Sequence, residues 1–289
     1  MSTTKQKGPK KRKKLPLILM YVFLIITSLI SIFPIFWMAI ATTNKSVDIT
    51  KGTILPGTAF FDNVQSVLGS DLQYIKSFGN SLMIALITTA LAMIVSSAAG
   101  YAFEIYRSKR KERVFSIILI SMMVPFAALM VPLFQLFTTF QNIPLLRFIR
   151  LDTPGSVIII SVATAFLIFF FRQNTKSFPR DLIEAARLDG LSEFGIFFRI
   201  YIPTMKATYA AAIVVTFMNT WNSYMWPLIA LQSPDNKTLP LVLSSMGSSY
   251  TPDYGMIMTA VFFATIPTAI IFFFLQKHFV AGMTGAVKG

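Results

Sequence analysis

Six long apolar runs, none interrupted by Asp, Glu, Lys or Arg, constrain this chain more than any other feature. They are about Leu15–Ala41, Ser81–Phe103, Val114–Phe137, Gly155–Phe171, Ala207–Leu231 and Gly255–Gln276. About 20 mostly apolar residues cross a bilayer core as a helix. A soluble domain carries about 25% charged residues, whereas this chain has 13%, with 54% hydrophobic residues and a mean hydropathy of +0.64. The sequence therefore predicts an all-α integral membrane protein with six transmembrane helices, and it excludes a soluble enzyme or a disordered basic protein. The first run follows a basic segment and reaches Ala39-Ile40-Ala41, which resembles a signal cleavage site. A signal h-region spans only about 7–15 residues, so the run reads as an uncleaved first span.

The net charge of +14 is unevenly spread. The N-terminus (Lys5 to Lys14), the second connection, the fourth connection and the tail hold all of it, while the other three connections balance six basic against six acidic residues. Basic loops stay on the cytoplasmic side, so both termini are expected there. Removing the short fourth run would destroy this partition. The expected division is a basic cytoplasmic N-terminus (1–14), a six-span domain (15–276) with a cytoplasmic loop at 172–206 and an outer loop at 232–254, and a cytoplasmic tail (277–289). The N-terminal cluster reads as a topology signal and a contact for anionic lipid, with no nucleic-acid partner implied.

Ion pumps and proton-coupled carriers place ionisable residues inside their spans, and these runs have none. A single histidine, His278, and no cysteine offer no metal site and no catalytic constellation. Without a G-x-x-x-x-G-K-[ST] phosphate loop, any uphill transport must draw its energy from another polypeptide. Pro125, Pro132 and Pro267 are expected to kink their helices. Ala85, Thr88, Ala92, Ser96, Ala99 and Gly100 form a small-residue seam for close helix packing. In the fifth run, Thr216, Asn219, Thr220 and Ser223 share one helical face, with Trp221, Asn222, Tyr224 and Trp226 nearby. Amides, hydroxyls and aromatic rings suit sugar hydroxyls and ring faces. They equally suit interhelical hydrogen bonds and interfacial anchoring.

The fourth connection is the most specific segment. Ser177 is placed to cap a helix, Pro179 fits its first turn, and Gly190 can end it in a left-handed conformation. A second short helix is expected from about Ser192. Ala185 and Ala186 would let the first helix lie close in a partner groove, with Glu184, Arg187 and Asp189 orienting it. The arrangement Glu184-Ala185-Ala186, three residues, Gly190, nine residues, Ile200, one residue, Ile202-Pro203 resembles the E-A-A-x3-G-x9-I-x-L-P pattern of permease subunits of ABC importers. Its one departure, Ile202 for Leu, keeps an apolar side chain. Trp221 to Leu228, Phe273 to Gly282 and the ending Gly285 to Gly289 are similar to the maltose-type carbohydrate permeases, specifically the smaller six-span subunit.

That resemblance implies a type I importer architecture in which Glu184 to Pro203 docks on an ATPase. It also implies four partners: a second homologous permease, two ATPase subunits that bind ATP and Mg, and an extracytoplasmic solute-binding protein. This chain would hold no cofactor and have no enzymatic activity of its own. Asn219, Thr220, Trp221, Asn222, Ser223 and Tyr224 are expected along the translocation pathway. The outer connection Gln232–Asp253, with Pro234, Pro240 and Pro252, is too apolar for a solvated loop. It would either insert into the binding protein, with Leu239, Ser245, Gly247 and Ser248 as contacts, or fold back as a partly buried hairpin. The expected cargo is a sugar or oligosaccharide, and the expected location is a bacterial or archaeal cytoplasmic membrane. A permease for another solute, such as glycerol-phosphate esters, is disfavoured by the lack of an intramembrane basic pocket. A polytopic enzyme is disfavoured by the scattered outer Asp residues.

Overall fold

The computed structural model describes residues 14–248 and 250–285, and these are all helix and connection, with no strand among them. The cluster Lys5–Lys13, the His278 side chain and residues 286–289 lie outside the described residues. The spans begin with α1 (Lys14–Ala41), followed by the short α2 (Ser46–Thr50) and α3 (Phe60–Leu68). The second span is α4 (Tyr74–Ile105), which extends well beyond its apolar run at the outer end. Next come α5 (Lys109–Ser121) and α6 (Phe126–Phe140), and then α7 (Pro154–Val162) with α8 (Ala165–Thr175). The fourth connection holds α9 (Asp181–Leu188), α10 (Glu193–Ile196) and α11 (Ile202–Thr204). After it come α12 (Lys206–Trp221), α13 (Met225–Ala230), α14 (Leu239–Gly247) and α15 (Tyr254–Gly285).

Among the described residues, four segments are long and apolar enough to cross a membrane, and two bent pairs bring the total to six if each pair is one span. The third run departs from the expectation of a kinked helix, because α5 and α6 meet at 104°. Pro125 has no amide to donate and disfavours helical backbone at Val124, so the chain turns there, whereas Pro132 sits inside α6. The fourth run lies within a helical segment of 22 residues from Pro154 to Thr175, long and apolar enough to cross, with a break at Ala163-Thr164. The fifth helix ends early, at Trp221, so Ser223 lies beyond it. It joins the coupling segment through an 82° bend.

The second span is the hub of the bundle, with α7, α8 and α12 packed against it. Its seam explains why: Ala85, Thr88, Ala92, Ser96 and Gly100 are buried. A Cβ on Gly100 would lie 2.6 Å from the Cβ of Phe171 and 2.8 Å from the Arg172 amide nitrogen, so the second and fourth spans touch backbone to backbone there. Small residues allow that approach where lipid supplies no hydrophobic drive. By contrast, α1 buries little beyond its outer end at Ile40 and Ala41.

Candidate functional site

In the fourth connection, α9 begins later than expected. Ser177 caps nothing, because its hydroxyl donates 2.8 Å back to the Asn174 carbonyl at the end of α8, and Arg180 takes the cap position without a side-chain bond. The helix ends as predicted, with Gly190 at φ +80°. The Leu191 amide donates to Ala186 O and the Gly190 amide to Arg187 O, both at 3.0 Å, the paired bonds of a glycine-terminated Schellman cap. Ser192 then caps the next helix by accepting from the Gly195 amide at 3.2 Å. Pro203 cannot donate to a carbonyl four residues back, and the chain accommodates this with a π turn over Phe197–Tyr201.

The two short helices are bound to each other and to the second span. Arg187 pairs with Glu193 at 2.8 Å, and the Tyr106 hydroxyl donates to the same carboxylate. The Arg187 hydrogen bond, followed by that of Tyr106, holds the Glu193 carboxyl below the ordinary carboxylate range. Ala186 is buried with Tyr101, Phe178, Ile183, Ile196, Phe197, Tyr201 and Met205. That corrects its assignment to the docking face, since the fourth position of an α9 turn points back to the chain's own core. Ile200 packs against this cluster too. The outward face of α9 presents Leu182, Glu184, Ala185, Arg187, Leu188 and Asp189, with Leu188 90% exposed. Leu182 and Leu188 were missed in the sequence, although their helical spacing with Ala185 would have marked them.

A second feature escaped the hydropathy reading. Glu104 and Arg172 each lie one residue beyond an apolar run, and the structure buries both. Glu104, 1% exposed, accepts from Arg107, from Arg172 Nε at 3.5 Å and from Arg180 at 3.5 Å. Arg172 also reaches Glu112 at 2.5 Å and lies 4.0 Å over the Phe115 ring. One carboxylate thus joins the second span, the fourth span and the first residue of the α9 cap. The Phe115 face and Glu112 extend the network to the third span.

Within the spans, Asn219, Thr220 and Ser223 line a cavity of about 100 Å³ together with Thr216, Ser161 and Thr164. Trp221 is not among them. It is 3% exposed, donates 3.1 Å to Ala264 O and stacks on Phe217, because its position points the ring at the sixth span. Asn222 is also removed from the cavity, its amide donating 2.9 Å to Met218 O. Tyr224 lies toward the outer side, 3.2 Å from the Ser244 hydroxyl.

The outer connection folds back in its first half and is exposed in its second. Leu239 is buried, with its amide donating 2.7 Å to Ser81 Oγ, so it is unavailable as a contact. Leu241, Val242 and Met246 bury the rest of that face. Ser244, Ser245, Gly247 and Ser248 are exposed, as is Tyr250. Asp152, in a left-handed conformation at φ 59°, clamps the start of this connection by accepting from the Gln232 and Ser233 amides at 3.0 Å and from the Ser233 hydroxyl.

Comparison with known proteins agrees with this geometry. The pattern defining the family described as binding-protein-dependent transport system inner membrane component matches residues 98–285. A lactose transport system permease protein of Rhizobium radiobacter is 49% identical over 96% of this chain and 98% of its own length. An arabinooligosaccharides transport system permease protein of Bacillus subtilis is 39% identical over 93% of this chain and 94% of its own. Among solved structures, a chain from a bacterial ABC transporter involved in the import of the acidic polysaccharide alginate superposes with a TM-score of 0.78 at 22% identity. That match covers 94% of this chain and all of the other.

Proposed function

The chain belongs to the family of binding-protein-dependent transport system inner membrane components, and from that premise we propose that it is one of two permease subunits of an ATP-driven carbohydrate importer. The observation that carries the reading is the projecting α9, whose apolar residues Leu182, Ala185 and Leu188 are exposed among the described residues, Leu188 at 90%. An ATPase subunit is the partner that such a helix fits, with Arg187, Glu184 and Asp189 at its rim. Two ATPase subunits would bind ATP and Mg, leaving this chain without an ATP site of its own. A second homologous permease would complete the pathway, which alternates between outward and inward access.

In this reading, which the charge partition of the connections supports, both termini and the 172–206 loop are cytoplasmic and the 232–254 loop is outside. There Ser245, Gly247 and Ser248 form the tip that a solute-binding protein would meet. The cargo is a neutral sugar or oligosaccharide, supported by the two sugar permeases above and by the cavity at Asn219, Thr220 and Ser223, which no basic side chain lines. An ester of glycerol phosphate would need such a cation. The test is uptake into proteoliposomes carrying the full complex, using a panel of neutral sugars headed by lactose and arabino-oligosaccharides. ATP-dependent uptake of one of them is expected, and uptake of glycerol phosphate alone would overturn the carbohydrate assignment.

A further inference from the structure

The fourth span breaks at Ala163-Thr164 with neither proline nor glycine at the break. Ala163 adopts φ −126°, ψ 62°, and both residues are exposed. The half-helix α8 that restarts there has its Leu167 amide capped by Thr164, while the Ala165 and Phe166 amides have no intrahelical acceptor. On the other side of the break, Val162 O is satisfied by Ser96. Irregular backbone at membrane depth is tolerated only where it is buried in protein or lines a water-filled cavity, so this face cannot meet lipid.

The break faces the polar side of α12. Thr216 and Thr220 are only 8% and 9% exposed, they line the cavity, and their hydroxyls make no hydrogen bond among the described residues. A helical threonine ordinarily bonds the carbonyl one turn back, as Thr259 does to Gly255 at 2.8 Å. Other unpartnered hydroxyls, such as Thr88 and Thr89, are sealed in the packed interior. Those of Thr216 and Thr220 open into space. Asn219 adds an exposed amide, and Phe166, 45% exposed, adds a ring at the rim.

We infer that this niche between the broken fourth span and the fifth is a sugar subsite carried by this subunit itself. Unsatisfied hydroxyls, an amide and a ring edge, with no charge among them, match the hydroxyls and apolar face of an uncharged pyranose or furanose. A water molecule takes up about 30 Å³, so a cavity of about 100 Å³ admits the hydroxyl-bearing edge of one ring, leaving the rest of the sugar on the open side. The inference rests on the carbohydrate reading above, and it adds the contact residues Ser161, Thr164, Phe166 and Thr216.

The experiment uses the assembled transporter with its ATPase subunits and binding protein. The chain contains no cysteine, so Asn219→Cys introduces a unique thiol in this subunit. Water-borne maleimide should label it, and the panel sugar that the wild type imports fastest should protect it, whereas a panel sugar that is not imported should not. Thr216→Val and Thr220→Val keep shape and remove hydroxyls that make no hydrogen bond among the described residues, so the thermal unfolding of the complex should not change. The sugar concentration for half-maximal uptake should rise about two- to tenfold for each lost hydrogen bond. A thiol unreactive in every nucleotide state, or labelling that no imported sugar slows, overturns the subsite. If the wild type imports no sugar of the panel, the carbohydrate reading fails first.

Discussion

The segment from α9 to α11, proposed to dock on an ATPase, and the cavity between the fourth and fifth spans treat polar groups in opposite ways. In the former, the charges of Glu104, Arg172, Arg187 and Glu193 are paired and the carbonyls of Ala186 and Arg187 are capped. In the latter, two buried threonine hydroxyls make no hydrogen bond among the described residues and an exposed amide lies beside them. The difference fits a division of labour. A lever must hold its shape while force passes through it, so its internal bonds are closed. A pathway must exchange bonds with passing cargo, so its own are left open.

The largest expected effect comes from the lever's outer face. Leu188→Glu puts a charge where apolar contact with the ATPase is expected, while leaving the subunit's core untouched. It should reduce sugar-stimulated ATP hydrolysis and transport at least tenfold, with normal membrane insertion. Wild-type ATPase rates in that variant would remove Leu188 from the interface. Next is Glu104→Ala, which leaves Arg172 buried without its central partner. Breaking a buried pair costs about 3–5 kcal/mol, so the purified complex should unfold at a markedly lower temperature, whereas Glu104→Gln should recover part of the loss. An unchanged unfolding temperature would mean that Glu112, 2.5 Å from Arg172, is partner enough without Glu104.

Gly100→Leu tests the close approach of the second and fourth spans. Overpacking costs about 1–3 kcal/mol, and thermal unfolding should report it; no shift would mean that the two backbones can separate freely. The smallest effect belongs to the outer clamp. Burial raises the pKa of Asp152, but hydrogen bonds from Ser233, Asn236 and Gln232 outweigh it and hold the carboxyl below its ordinary range. The clamp's contribution is therefore complete above the ordinary carboxylate pKa and is lost as pH falls through the depressed one. Asp152→Asn should cost about 1 kcal/mol near neutral pH, and its difference from the wild type should vanish in strong acid. Limited proteolysis of the 232–254 loop would follow both.

The apolar runs were readable because a bilayer sets their length, although the 104° turn in the third and the early end of the fifth were not. The turn at Gly190 was also readable, because backbone handedness selects one residue type. What stayed hidden depends on neighbours. Nothing local in Val162-Ala163-Thr164 announces a break, and the direction of Trp221 was settled by the sixth span. Glu104 and Arg172 were counted as loop charges because each stands one position outside its run. An acid and an arginine at the same end of two packed spans form the one pattern that could have paired them.

At Gly190, space and conformation part company. An added Cβ would meet nothing within 4 Å, yet φ is +80°. The position therefore selects for chirality rather than size. Replacements should rank by how well their backbone tolerates the left-handed region, with asparagine mildest, alanine worse and β-branched residues worst. A D-alanine introduced by chemical ligation, though larger than glycine, should fit without strain and stiffen the turn.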